Sequence, residues 1–233
     1  MWPGYIVPDS TIPIALANVT KDYSDDEATL EFRHKNGNTI IIRLHPNMQT
    51  KFYMVTGKAF LNSPTQFRRL FPIDLLIVPT LGPLEENERY LEDETVRRNE
   101  VTRLANRVFH NLWLRRPGSQ FDAFRELVQE SWPNISIQRP EHKTSSTRDL
   151  QMLFEENRIV REVYGAGFGF QVWLQLLTQL MRADSDSVLV IDEPDIYLHP
   201  DLQRKLVKII RDRFHQFVMA THSIEKMKAS REI

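Results

Sequence analysis

Val188-Leu189-Val190-Ile191-Asp192-Glu193-Pro194 is an apolar, branched run that ends on two adjacent carboxylates and a proline. Such a run suits a buried strand of a parallel sheet, and an apolar strand does not hold charges inside it, so the acids must emerge at its carboxyl edge. Open α/β sheets hold their ligands at that edge. There Asp192 can serve a hydrated Mg²⁺, and Glu193 can orient or deprotonate a water, the division of labour that phosphoryl transfer to water requires. The plain alternative is that Asp-Glu-Pro only leads the chain from a strand into a turn.

The surroundings favour chemistry. After Asp192, His199-Pro200-Asp201 opens a helical stripe of Leu202, Leu206, Ile209 and Ile210, and Phe217 to Ala220 is a second β-run. A strand, a crossover helix and a strand imply parallel pairing with a right-handed connection. Thr221-His222-Ser223 therefore falls at the same edge as Asp192. Neighbouring strand ends lie about 5 Å apart, so His222 can approach the phosphate that a Glu193-bound water would attack. Upstream, Phe170, Trp173, Leu174, Leu177, Leu180 and Met181 form another helical stripe. Gly165-Ala166-Gly167-Phe168-Gly169-Phe170-Gln171 precedes it. Glycines at Gly165, Gly167 and Gly169 leave backbone N–H groups free to face an anion at the positive end of the helix; a flexible junction is the alternative.

Farther from this edge the organisation is simpler. Thr29 to His34 and Thr39 to Leu44 flank Asn36-Gly37, a hairpin signal. Ile73 to Val78, stopped by Pro79, reads as a short buried strand. From Glu94 to Arg116 the recurrence of Val96, Val101, Leu104, Val108 and Leu112 predicts an amphipathic helix. Phe121, Phe124, Leu127 and Val128 carry the pattern on to Trp132-Pro133. Residues 140–149 are polar and suit a loop or a turn between strands.

Taken in order, Gly165 to Gln171, Val188 to Pro194, Tyr197-Leu198-His199-Pro200 and Ala220-Thr221-His222-Ser223 resemble the signature motif, Walker B, D-loop and H-loop of ABC-type ATPases. They are most similar to the OLD-like (overcoming lysogenization defect) AAA ATPase branch, related to RecF and SMC proteins. Before residue 150 the likeness is thinner and rests on Leu76 to Leu91 and the helical stretch after it. The resemblance implies an α/β, P-loop NTPase-like sheet core of ABC type. Residues 1–92 would be its β-rich part with the hairpin, 93–134 an inserted helical subdomain, and 135–233 the part with signature, Walker B, D-loop and H-loop. It implies ATP and Mg²⁺ as cofactors, Asp192 as the metal ligand, Glu193 and His222 as catalytic residues, and Gly165, Gly167, Gly169 and Gln171 at the nucleotide. Asp195 and His199 would lie near a dimer contact. The usual signature serine has no counterpart, since Gly165 or Phe168 stands where it is expected.

The implied activity is ATP hydrolysis coupled to opening and closing of a head-to-tail homodimer, or of a pair with a partner ATPase chain, in DNA transactions or phage defence. A nuclease or other effector is the implied kind of further partner. One part is missing: a Walker A loop reads Gly, four residues, Gly-Lys-Ser/Thr, and Thr56-Gly57-Lys58-Ala59 has Phe52 and Ala59 where the first glycine and the hydroxyl belong. The chain therefore reads as incomplete at its amino terminus, and the alternative is a non-catalytic remnant or regulatory subunit.

Bulk properties narrow the remaining classes. Without cysteine, disulfides, thiolate catalysis and Cys-based zinc sites are excluded. A formal charge of −1 gives no global attraction to nucleic acid. Arg97, Arg98, Arg103, Arg107, Arg115 and Arg116 are scattered around their segment, which fits a solvated face better than a nucleic-acid contact. No apolar run approaches the roughly 20 residues of a membrane span, and Met1-Trp2-Pro3-Gly4 lacks the basic start of a secretory signal. A cytoplasmic protein with no membrane contact is expected.

Overall fold

The computed structural model describes residues 5–6, 24, 26–45, 48–56, 59–60, 64–144 and 146–221. The chain forms two compact units, Met1–Ile73 and Asp74–Ile233. In the first, an antiparallel sheet has the order β1-β4-β3-β2, with β5 paired to β4. Its strands are β1 (Tyr5–Ile6), β2 (Ala28–Arg33), β3 (Thr39–His45), β4 (Met48–Thr56) and β5 (Ala59–Phe60). The expected hairpin is β2–β3. Gly37 sits at φ +87°, a conformation that costs glycine nothing and side-chain-bearing residues a good deal, and His34 N–H donates to Asn38 O at 2.8 Å to close the turn. The side-chain amides of Asn36 and Asn38 then donate to Leu70 O, at 2.8 and 2.9 Å, at the end of α1 (Pro64–Leu70).

The second unit is built around α5 (Phe168–Leu180), in which every residue from Phe170 to Leu180 is buried. A helix apolar on most sides is stable only when surrounded, and here it is. One neighbour is the parallel sheet of β6 (Leu75–Val78), β12 (Val188–Asp192) and β13 (Gln216–Ala220), in the order β13-β12-β6. The register pairs Leu76 with Leu189 and Phe217, and Val78 with Ile191 and Met219. This face shares a continuous core with Leu174 and Leu177 of α5 and with Leu202, Leu206 and Ile210 of α6 (Pro200–Arg213). The opposite face carries Leu75, Ile77 and Val218, each about half exposed. The β-α-β expectation from β12 through α6 to β13 holds, as does the strand before Pro79.

The helical stretch departs from expectation. In place of one helix over Glu94 to Arg116 there are α2 (Asp93–Asn99), a 3₁₀ turn over Ala105–Arg107 and α3 (Phe109–Arg115). Thr102 causes the break by offering the backbone local partners: its hydroxyl donates to Asn99 O at 3.0 Å and accepts from Leu104 N–H at 3.2 Å. Val101 and Leu104, two of the supposed stripe positions, consequently lie exposed. Pro117 ends α3, and α4 (Gly118–Ser131) starts behind it. The aromatic residues of this region interlock, with Trp113 stacked on Phe124 at 4.1 Å between centroids. The stretch expected as a loop, 140–149, includes a short strand, β8 (Glu141–His142), and only the residues after it lead to its partner β9 (Leu150–Gln151). A further sheet, β11-β10-β7, was not foreseen; it comprises β7 (Ile135–Ile137), β10 (Leu153–Glu156) and β11 (Ile159–Glu162). Its signal was Asn157-Arg158, a two-residue turn with φ of 53° and 66°, the geometry that tight hairpins prefer. Among the described residues no helix is long and apolar enough to cross a membrane.

Beside α3 lies a buried cluster of charges. Glu88, 2 % exposed, accepts from the backbone N–H groups of His110 and Asn111 at 2.9 and 2.7 Å and from Asn111 Nδ2 at 2.8 Å. The His110 ring lies between two carboxylates, Nδ1 at 2.7 Å from Glu88 and Nε2 at 3.0 Å from Glu162. Burial opposes a charge on this imidazole more than any other single effect, yet hydrogen bonds and negative charge from Glu162 and Glu88 together outweigh it and raise the pKa to about 9. On Glu162 burial pushes the pKa the other way, up, but His110 and the N–H groups of Met152 and Tyr164 hold it below the usual carboxylate value. The histidine is charged at neutral pH.

Stability should therefore depend on pH with a defined sign. The His110 contribution is complete below its ordinary value of 6.5 and is lost as pH rises through about 9; the Glu162 contribution is complete above 4.5 and is lost as pH falls. Urea unfolding followed by Trp fluorescence is expected to show greatest stability between these limits and a loss on the order of 3 kcal/mol toward alkaline pH, largely removed in His110→Gln.

Candidate functional site

The site is assembled at the carboxyl ends of the parallel strands. Asp192 is the last residue of β12, is exposed, and stands in register with Ala220 of β13. Thr80, just beyond β6, donates its hydroxyl to Asp192 Oδ2 at 2.8 Å. Thr80 was not singled out in the sequence, although a strand over Ile73 to Val78 implies that the residues after Val78 reach this edge if β6 pairs beside β12.

Beyond Asp192 the chain turns sharply. Glu193 N–H donates to Ala220 O at 2.9 Å, so the loop starts by extending the ladder. Glu193 then takes φ +45° and Tyr197 φ +69°, left-handed conformations that cost residues with side chains on the order of 1 kcal/mol or more. The surroundings hold them: Pro194 and Leu198 are buried, Leu198 N–H donates to Asp195 O at 2.9 Å, and Thr221 donates its hydroxyl to Asp195 Oδ1 at 2.6 Å. His199 is the N-cap of α6, its Nδ1 facing Asp201 N–H at 3.4 Å, with Pro200 in the first turn. His222 lies outside the described residues. Its neighbour Thr221 is at this edge, bound to Asp195.

The glycine-rich turn meets the same loop. A Cβ on Gly169 would come within 2.7 Å of Tyr197 O, whereas one on Gly165 or Gly167 would have nothing within 4 Å. Phe168 and Tyr197 meet ring edge to ring face at 5.6 Å. Gly167 is the N-cap of α5 and no side chain caps that end. The glycines thus differ: Gly169 permits a close backbone approach, whereas Gly165 and Gly167 border open space. Gln171 is fully buried. Its Oε1 accepts from Leu84 N–H at 2.8 Å, and its Nε2 donates to Tyr164 O at 2.7 Å and Ala166 O at 2.8 Å. Its amide shapes the turn from within.

Among the described residues no group of three or more His, Asp or Glu could by itself hold a metal ion. The donors at the edge nevertheless suit Mg²⁺. This ion takes oxygen ligands, often only one or two carboxylates, with waters and phosphate oxygens completing the octahedron. The exposed Asp192 carboxylate, steadied on one oxygen by Thr80, has the chemistry such a site would require.

Known proteins resemble the chain in fold and in family. The Smc head in a crystal structure with the C-winged helix domain of ScpA shares 14 % identity, with 87 % of this chain and 68 % of that one covered and a TM-score of 0.51. The Pyrococcus furiosus Smc head with an extended coiled coil, bound to the C-terminal domain of ScpA, has 13 % identity, coverage of 87 % and 71 %, and a TM-score of 0.48. The first likeness shows that the chain shares the fold of an Smc head, a mixed α/β architecture with a parallel sheet. Residues 58–227 match the family described as "AAA domain, putative AbiEii toxin, Type IV TA system". The chain belongs to that AAA family, which at family level speaks for nucleotide binding and hydrolysis. No curated protein matches it.

The contrast among glycines is open to test. Gly169→Ala should lower the thermal midpoint by several degrees, matching a cost of about 1–3 kcal/mol for overpacking against backbone, while Gly167→Ala should stay within about a degree of wild type in the same calorimetric scan.

Proposed function

We propose that this chain contributes to an ATP-hydrolysing site in which Asp192 holds Mg²⁺, Glu193 orients the attacking water and His222 senses the γ-phosphate. The observation that carries the reading is the strand edge itself: Asp192 ends β12 with Thr80 on its carboxylate at 2.8 Å, and Glu193 is held beside it at φ +45°. Residues held in strained backbone conformations cluster at functional sites. When bound, the metal would neutralise phosphate charge. The chain's own part is to place the two carboxylates and to offer the turn at Gly165, Gly167 and Gly169 as a surface for an anion.

No Gly-x-x-x-x-Gly-Lys-Ser/Thr occurs in the sequence, so the phosphate-binding loop of the proposed site has to come from residues other than these. Assembly with a second copy or with a partner ATPase chain, opening and closing with the ATP cycle, is the arrangement we favour; Asp195 and His199, on the loop that packs against Gly169 and at its end, would face that contact. The OLD-like kinship, DNA transactions or phage defence as the setting, and a nuclease or other effector as the partner belong to the same proposal. The family's description, which names a toxin of a Type IV TA system, supports the defence setting. A non-catalytic role, in which the chain lends only its strand edge and glycine turn to another protein, is the second reading, favoured by the missing phosphate loop.

Phosphate release from ATP-Mg²⁺ should be measured on the protein purified together with the chains it associates with. Glu193→Gln is expected to slow release by about 10²–10⁴-fold while bound ATP is retained, and Asp192→Asn to raise the Mg²⁺ concentration that release requires. Unchanged release in Glu193→Gln would refute the catalytic assignment, and absence of ATP-Mg²⁺ binding would leave the non-catalytic reading standing.

A further inference from the structure

Two separate stretches flank the site, and buried polar bonds join them twice. The first bridge is Gln171, which accepts from Leu84 N–H and donates to Tyr164 O and Ala166 O. The second is His110, which links Glu88 to Glu162; Glu162 in turn accepts from Tyr164 N–H at 2.6 Å. Both bridges therefore tie Leu84–Glu88 to Glu162–Ala166. The first of these segments follows Thr80, the partner of Asp192. The second leads into Gly169, which abuts Tyr197 on the loop that begins at Asp192. The contacts close into a ring that passes from Asp192 through Thr80, the two bridges and the glycine turn back to the loop after Asp192.

We infer that His110 and Gln171 are positioning residues that lock these two segments into one register and so fix where the glycine turn stands relative to Asp192. Both act through the backbone they hold. The inference deepens the reading of the site given above and relies on it for its functional meaning, but the lock is a property of this chain alone. A buried amide and a buried imidazole, each bonded at both ends, are costly to leave half-satisfied, so losing either end loosens the whole bridge. Glu88 and Glu162 are the charged groups acting on the His110 ring, and its deprotonation would remove one donor from the bridge.

Hydrogen–deuterium exchange on the intact protein, without nucleotide, reads the lock directly. In His110→Gln, peptides covering residues 82–91 and 162–170 are expected to exchange at least about 10-fold faster, in parallel, with α6 unchanged; tenfold corresponds to about 1.4 kcal/mol of opening free energy. Gln171→Leu should produce the same paired response. In wild type both segments should also speed up together between pH 7 and 9.5, beyond the intrinsic pH dependence of exchange, and this extra acceleration should vanish in His110→Gln. Faster exchange confined to the neighbourhood of residue 110, or spread uniformly over Asp74–Thr221, would overturn the inference. ATP hydrolysis plays no part in this readout, so a failure of the proposed activity would leave the test intact and show separately.

Discussion

The surrounded helix α5 is the constraint on which the second unit depends. Burial on every side stabilises it through Val172, Trp173, Leu174, Leu176, Leu177 and Leu180, all at 2 % exposure or less, but it also forces Gln171, Gln175, Thr178 and Gln179 out of water. Each of these finds a partner on a different neighbour: Leu84 N–H for Gln171, Gly82 O for Gln175, the Trp113 indole N–H for Thr178 and Glu100 O for Gln179. A polar group buried without a partner costs more than a made bond returns. The irregular segments around α5 are thereby held to particular places. The helix works as a template on which the loops after β6 and the turn before Gly169 are laid out.

Placement of the strand edge follows from the same packing. Leu76, Val78, Leu189 and Ile191 bury one face of the parallel sheet in a core shared with α5 and α6, which brings the ends of β6, β12 and β13 to one edge. Only then can Thr80, distant in sequence, reach Asp192. The positive φ values at Glu193 and Tyr197 are affordable because the sheet on one side and α6 on the other determine the loop between them. The likeness to an Smc head and the AAA family match agree with this fold.

Periodicity carried much of the fold. Two runs flanking Asn36-Gly37 indicated the β2–β3 hairpin, and an apolar run, an amphipathic stripe and a second run indicated β12, α6 and β13. The failures have local causes. Thr102 bonds to its own backbone neighbours and interrupts the helix read over Glu94 to Arg116, an effect that a count of apolar positions does not register. The β11-β10-β7 sheet was missed because Leu153–Glu156 and Ile159–Glu162 are short and charged, and their turn depends on two non-glycine residues at positive φ. Of the site, Asp192, Glu193 and the glycines were legible because acids at the end of an apolar strand and glycines before a helix are local patterns. Thr80, Glu88, His110 and Glu162 were not, because their meaning lies in pairs far apart along the chain.

The sequence by itself determined the strand-helix-strand order, the carboxylates at a strand end and the glycine turn before a buried helix, because each of these rests on residues close enough in the chain for side-chain period and backbone preference to act. Tertiary structure alone decided that Gly169 must lack a side chain because Tyr197 O lies against it, and that Gln171 faces inward. It alone decided that His110 bridges Glu88 and Glu162. These are consequences of close packing and of the cost of leaving buried polar groups unpaired, and neither acts until the separate elements have come together.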